Sequence, residues 1–326
     1  MALYLGVDAG NTKTDALLCD ERGRVLGSGR AGIGDIYGAD SPAAAVANVR
    51  AAVVGALGTA GVRCQDVRPA AFRLAGVDWL SDAAYWAQAL PTALPELAVS
   101  SISNDGYAAI RCGVPHGNGI AVVVGTGPAV AARNTATGAT WSLGWWAQEQ
   151  LGAMGLGHDA VRAVCRAELG VAPPTSLTQR LLAFYEAESA SALLEAFTRR
   201  EHPLGLKHKA LAAAQVCAAA GEADAVAVAI IAEHAKYLAE YADASARITG
   251  LLASTEPVAV VLAGSVLTAA LSPLADALHA ALRLRLPGSA IALARMAPVA
   301  GAVLDAMAED EAETVADAWN TFVDAV

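Results

Sequence analysis

Apolar residues at the start of the chain fall in three short runs, 3–7, 14–19 and 24–29, with turn residues between them such as Asp20-Glu-Arg-Gly23. Runs of this length between turn signals predict strands, and three in succession predict an antiparallel set. A helical stretch follows at 42–57, then a strand at 69–75, a helix at 82–90 and a strand at 97–103 that ends on Asn104-Asp105. Hairpins followed by alternating helix and strand predict a mixed sheet with helices on its faces. The segment Gly113-Val-Pro-His-Gly-Asn-Gly119 reads as a hinge. Beyond it the same order returns: strands at 120–124, 129–133 and 140–143, an Ala-rich helical middle over 155–250, a strand at 258–262, a helix at 266–284, a strand at 290–294 and helix from 299 onward. The fold class is therefore α/β with a duplicated architecture, although no fixed-period repeat is visible.

Composition narrows the class. Of 326 residues 55% are hydrophobic, enough for a sizeable core and about two domains. The 22 Lys+Arg against 32 Asp+Glu give a net charge of -10 with no basic stripe, so nucleic acid is not an expected partner. Five cysteines stand singly at 19, 64, 112, 165 and 217, without metal-ligand spacing, and read as buried thiols of a reducing, cytoplasmic setting. The N-terminus reaches Asp8 too soon for a signal peptide. The uncharged stretch 257–275 has about membrane length, but its period changes midway, as expected for a buried strand followed by a helix, so no membrane partner is expected.

Four segments carry candidate chemistry. Gly6-Val-Asp-Ala-Gly-Asn-Thr-Lys-Thr14 is a strand entering a tight turn with an acid, a glycine, hydroxyls and a lysine. Such a turn suits phosphate, with Asp8 at its lip suited to Mg²⁺ through water; the alternative is an ordinary hairpin turn. Val122-Val-Val-Gly-Thr-Gly127 repeats the arrangement at the start of the second half, and Pro128 stiffens its turn. Ser103-Asn104-Asp105-Gly106 lies at a strand's carboxyl end, where Asp105 either accepts a proton from a hydroxyl or caps the following helix. Val260-Val-Leu-Ala-Gly-Ser-Val-Leu267 ends a buried strand on small residues that suit a flat base or a close strand–helix junction. Gly27-Ser-Gly-Arg-Ala-Gly32 fits GxGxxG in form only, since no helix opens after it, and no P-loop is present.

In this order, Asp8 with its turn, Asn104-Asp105, Gly125-Thr-Gly127 and Ala263-Gly-Ser265 resemble the phosphate-1, connecting, phosphate-2 and adenosine motifs of the actin, hexokinase and heat-shock chaperone ATPase superfamily. The closer resemblance is to its N-acetylglucosamine kinase-like branch, the BadF/BadG/BcrA/BcrD ATPase family. Supporting strings are Leu74-Ala-Gly-Val-Asp78, Gly144-Trp145 and Ala297-Pro-Val-Ala-Gly-Ala-Val303. The resemblance implies two ribonuclease H-like domains around a cleft: 1–115, completed by about 305–326, and 116–304, enlarged by helices.

It also implies an ATP-dependent kinase acting on a hydroxyl of a small sugar, in particular an amino sugar such as glucosamine or an N-acetylglucosamine-like acceptor. The cofactors are then ATP and Mg²⁺, and a homodimer is compatible with the family. Asp105 would be the base; Asp8 would organise Mg²⁺; Gly10, Asn11, Thr12, Lys13 and Thr14 would hold phosphates on one side and Gly125, Thr126 and Gly127 on the other. Gly264 and Ser265 would lie by the adenosine, and Asp35, Asn104, Gly144, Trp145 and Glu149 by the sugar. Two departures bear on the acceptor. Relatives follow Gly-Trp with Gly-Asp-Glu-Gly-Ser, whereas this chain reads Gly144-Trp-Trp-Ala-Gln-Glu-Gln-Leu-Gly152. Gly32-Ile-Gly-Asp35, expected as an exposed turn, has a carboxylate where relatives often have Asn, which would favour an amine. Two other readings belong to the same resemblance: a non-catalytic sugar or nucleotide sensor, and an ATPase that activates a radical dehydratase or reductase.

Overall fold

The computed structural model describes residues 2–143 and 150–325. Strands β1 (Leu3–Ala9), β2 (Thr14–Asp20), β3 (Val25–Ala31), β4 (Ala70–Leu74) and β5 (Val99–Ser103) form one sheet in the order β3-β2-β1-β4-β5. The first three pair antiparallel, while β4 and β5 run parallel to β1. Strands β6 (Gly119–Val124), β7 (Pro128–Asn134), β8 (Ala139–Leu143), β9 (Ala259–Ala263) and β10 (Ala290–Leu293) repeat that topology in the order β10-β9-β6-β7-β8. The echo in the hydropathy pattern is thus a duplication of topology.

Helix α1 (Pro42–Ala60) lies on β2 and β3. Ser41 caps it by accepting from the Ala44 amide, Pro42 occupies the first turn, and Gly61 closes it at φ 67. Gly29 lets the helix press on the strand, since a Cβ there would come within 2.0 Å of the Ala52 carbonyl. By length and composition α1 could cross a membrane. Six of its side chains, Val49 and Val53 among them, are instead buried in the first half's core with α2 (Leu80–Ala93). In the second half α4 (Gly152–Glu168), α5 (Leu177–Phe184), α6 (Ala190–Thr198), α7 (Leu206–Leu211), α8 (Ala213–Gly221) and α9 (Ala225–Ile248) intervene between β8 and β9, and supply much of its core.

The helix expected over 266–284 begins later. Residues 264–272 form turns, and α10 (Pro273–Arg285) starts after Ser272, whose hydroxyl accepts from the Ala275 amide. An Ala-Gly-Ser exit with Gly264 at φ 89 and a capping Ser-Pro pair outweighs the apolar pattern of the intervening residues. The two halves meet through α3 (Gly106–Arg111) and α11 (Pro298–Glu309), with α12 (Val315–Asp324) closing the far side of the first sheet. Gly6 of β1 and Gly301 of α11 permit this contact: a Cβ would lie 2.2 Å from the Val303 nitrogen and 2.1 Å from the Ala108 carbonyl oxygen, respectively.

Candidate active site

Because β1, β4 and β5 are parallel, their carboxyl ends share one edge, which is where ligands of open α/β sheets collect. Asp8 stands at the end of β1, Asp78 four residues past β4 and Asp105 two past β5. Asp105 adopts φ -61 and ψ -28, and its side chain makes no capping bond to α3. Asn104 takes that role. Its Oδ1 accepts from the Gly106 amide at 2.9 Å, and its Nδ2 donates to Asp78 Oδ1 at 3.1 Å. The Asp105 side chain therefore does not cap α3, although the Gly106 amide and its own amide still favour its charged form. Burial, then the charges of Asp78 and Asp35, push its pKa up to about 7.

The turn after β1 is closed by Gly10 N donating to Lys13 O at 2.9 Å. Two of its expected phosphate ligands are engaged elsewhere. Thr14 begins β2 opposite Ala9, is fully buried, and donates its hydroxyl to Gly32 O at 2.9 Å. It thereby anchors the 32–38 loop instead of reaching the cleft. Lys13 Nζ pairs with Asp15 Oδ2 at 2.5 Å, and Arg30 Nε with Asp15 Oδ1 at 2.6 Å. Asn11 and Thr12 remain exposed on the turn. Asp35 is not an exposed-turn residue: it is 5% exposed, its Oδ1 accepts from the Tyr37 amide, and Gly76 lies against it so closely that a Cβ would meet that oxygen at 2.3 Å.

The matching turn of the second half is held by α4. Ala153 N donates to Gly125 O and Met154 N to Thr126 O, both at 3.0 Å, while Gly152 at φ 81 packs on Gly127. Thr126 and Thr12 bring their hydroxyls within 3.4 Å, so the two turns face each other across the cleft. A Cβ on Gly125 or Gly127 would meet nothing within 4 Å, which leaves the turn open to a phosphate. Gly264 lies over Val124, the last residue of β6, with Val124 O 2.5 Å from where a Cβ would be, and Ser265 is exposed beside it. Gly144, Trp145 and Glu149 lie outside the described residues.

The residues fit a nucleotide with a divalent cation. The Asp8 carboxyl is pushed up to about 8 by burial and by Asp105 and Asp15, with Lys13 alone opposing, so the site is short of positive charge. Among the described residues no group of three or more His, Cys, Asp or Glu could hold a metal. A cation at Asp8 would then rely on water and phosphate oxygens for its other ligands, the arrangement Mg²⁺ favours.

A buried ionic hub beside this edge has no signature in the sequence. Asp305 of α11 receives Arg73 of β4 (2.7 Å), Arg111 of α3 (2.5 Å) and Arg133 of β7 (2.6 Å), and Arg73 also reaches Glu309 at 2.8 Å. Burial alone would raise the Asp305 pKa, but the three guanidiniums hold it far below the usual carboxylate range. The partners are separated by 172 to 232 positions, so no local pattern announces them.

Two sheets of one topology whose opening turns meet over a shared cleft define an actin- and hexokinase-type two-domain ATPase fold. The chain matches the BadF/BadG/BcrA/BcrD ATPase family over residues 5–307 and belongs to it. Its structure is similar to a candidate N-acetylglucosamine kinase from Chromobacterium violaceum (23% identity, 94% of this chain and 99% of that one, TM-score 0.70). It is also similar to one from Porphyromonas gingivalis (18%, 95% and 100%, TM-score 0.64). A ROK family glucokinase from Streptomyces griseus, crystallised with glucose and AMPPNP, shares the fold at 20% identity over 93% of this chain and 98% of that one (TM-score 0.58). Among curated proteins none matches this chain.

Proposed function

We propose that the protein is an ATP-dependent kinase that phosphorylates a hydroxyl of a small sugar, with an amino sugar as the favoured acceptor. The observation that carries this reading is the Asp105 carboxylate, relieved of helix capping by Asn104 and raised to about 7 at the edge shared with Asp8. Phosphoryl transfer asks the protein mainly to align donor and acceptor and to neutralise charge. Asp105 accepts the proton of the attacking hydroxyl and orients it, and a pKa near the working pH suits a general base. The open turn at Gly125 to Gly127 and the exposed residues Asn11 and Thr12 receive the phosphates from opposite sides. Asp8 holds Mg²⁺, which when bound offsets the negative charge of the phosphates. Asp78 and Asp35 raise the Asp105 pKa and Asp8 is coupled to it as well, and this acidic surrounding favours an acceptor bearing an amine. The glucokinase and N-acetylglucosamine kinase likenesses agree with a sugar acceptor.

The reading as an activator of a radical enzyme is not favoured. Cys112, the cysteine nearest the junction, is fully buried with its Sγ 3.4 Å from Ala108 O, and burial pushes its thiol well above the ordinary value. It offers no thiolate at a surface where a second subunit could share a cluster. The deciding experiment is ATP consumption with hexoses, hexosamines, N-acetylhexosamines and anhydro-muramyl sugars. Turnover of at least one, abolished in Asp105→Asn, is expected. ATP hydrolysis that no sugar stimulates overturns the kinase reading.

A further inference from the structure

The string ending in Asp78 belongs to the family resemblance, and in the reading above its carboxylate acts only as a charge near Asp105, with no direct contact to the acceptor assigned to it. Its location supplies one. In the sheet order β4 lies between β1 and β5, so a residue leaving the end of β4 emerges between Asp8 and Asp105. An acceptor whose hydroxyl points at Asp105 while the phosphoryl group arrives over Asp8 must lie above this strand end.

The hydrogen bonds sort the acids found there. Asp82 is 4% exposed and fully engaged: its Oδ2 accepts from the amides of Asp78 (3.0 Å) and Trp79 (2.8 Å), and its Oδ1 from the Tyr37 hydroxyl at 2.8 Å. Asp35 is buried and pins its own loop through the Tyr37 amide. Asp105 is the base. Asp78 is bonded only at Oδ1, by Asn104 Nδ2, and its Oδ2 takes no hydrogen bond from a described residue; Asp35 is likewise bonded only at Oδ1, but it is 5% exposed whereas Asp78 is partly exposed. Asp82 fixes the Asp78 backbone, and Asn104 fixes its side chain from the residue next to Asp105. A carboxylate held from both ends, with one oxygen left over, is preorganised to receive a donor.

We propose that Asp78, and not Asp35, is the residue that holds the acceptor, its Oδ2 accepting a charge-assisted hydrogen bond from an ammonium group borne on the acceptor near the reacting hydroxyl. The assignment rests on the kinase reading above, and it deepens that reading by naming the contact that selects the acceptor. Asp78 does not touch the phosphoryl group, and its charge reaches the chemical step only through its part in raising the Asp105 pKa. Its removal therefore acts on acceptor binding more than on the chemical step.

The test is initial-rate kinetics at saturating ATP with glucosamine and glucose as acceptors, in wild type, Asp78→Asn and Asp78→Ser. Asn preserves the shape and can still accept from Asn104, and thermal melting with ATP present confirms that each variant is folded. We expect the KM for glucosamine to rise roughly 10 to 100-fold in Asp78→Asn, as for loss of a charge-assisted bond. The KM for ATP stays unchanged, kcat stays within about fivefold, and the KM for glucose moves much less. A fall in kcat at unchanged KM would mean that Asp78 acts through Asp105 and overturns the proposal. An equal rise for both sugars overturns the ammonium contact. Should wild type phosphorylate neither sugar, calorimetric titration of glucosamine into wild type and Asp78→Asn still reads the contact. An unchanged dissociation constant refutes it independently of the kinase reading.

Discussion

Arg73 and Asp305 meet at 2.7 Å with 1% of either side chain exposed, although 232 positions separate them. Asp305 also receives Arg111 and Arg133, so one carboxylate joins β4 of the first sheet, β7 of the second and the α3 segment between them. Removing it takes the carboxylate partner from Arg111 and Arg133 and leaves Arg73 with Glu309 alone. Asp305→Ala should cost about 3 to 5 kcal/mol, the usual cost of breaking a buried pair, measured by urea unfolding at pH 7.

The same carboxylate sets a pH dependence whose sign is fixed. Its folded pKa is depressed, so its contribution is complete above the unfolded carboxylate value of about 4 and is lost as pH falls through the folded value. The stability gap between wild type and Asp305→Asn should therefore be constant from pH 7 to about pH 5 and shrink below pH 4. A gap that widens on acidification contradicts the hub.

Asp105→Asn should lower kcat by about 10² to 10⁴-fold while the dissociation constant for ATP stays within a fewfold of wild type, because the nucleotide turns lie on other segments. Stopped-time assays and nucleotide titration separate the two effects. Wild-type kcat in this variant would remove Asp105 from the mechanism.

With Asp105 raised to about 7, kcat/KM should fall with unit slope as pH drops below that value, since the protonated carboxyl cannot accept the acceptor's proton. Asp35 contributes part of the rise. In Asp35→Asn the acidic limb should move to lower pH, and the readout is the position of the limb rather than the height of the plateau.

Glycines give a paired test of packing. Gly301→Ala places a methyl 2.1 Å from the Ala108 carbonyl oxygen, backbone against backbone, and should destabilise by at least about 1 to 3 kcal/mol. Gly58 lies within α1, where an added methyl would meet nothing within 4 Å, so Gly58→Ala should instead stabilise by about 0.5 to 1 kcal/mol. Thermal melting of both variants checks the contrast.

The periodic parts of the fold were legible because each element carries its own signal: the alternation of apolar runs and turns placed the strands of both sheets, and Ser41-Pro42 marks the start of α1. The roles of single side chains were less so. Thr14 looks like a turn hydroxyl until β2 pairing turns it inward to Gly32, and Asp35 looks solvated until Gly76 and Tyr37 close over it. Asn104, expected from its motif to neighbour the sugar, also accepts from the Gly106 amide, a bond the sequence does not announce. Such roles depend on which neighbour arrives from a distant strand, and the Asp305 hub, assembled from four elements, is the extreme case.

The contact between Thr12 and Thr126 has a consequence for turnover. Hydroxyls 3.4 Å apart leave no room for a phosphate between them, so on the kinase reading a phosphate passing between the two turns requires them to part. The two threonines then mark where the halves touch, while α3, α11 and the Asp305 ion pairs mark where they stay joined. If the protein is a kinase, the parting of these two hydroxyls sets an upper limit on its turnover.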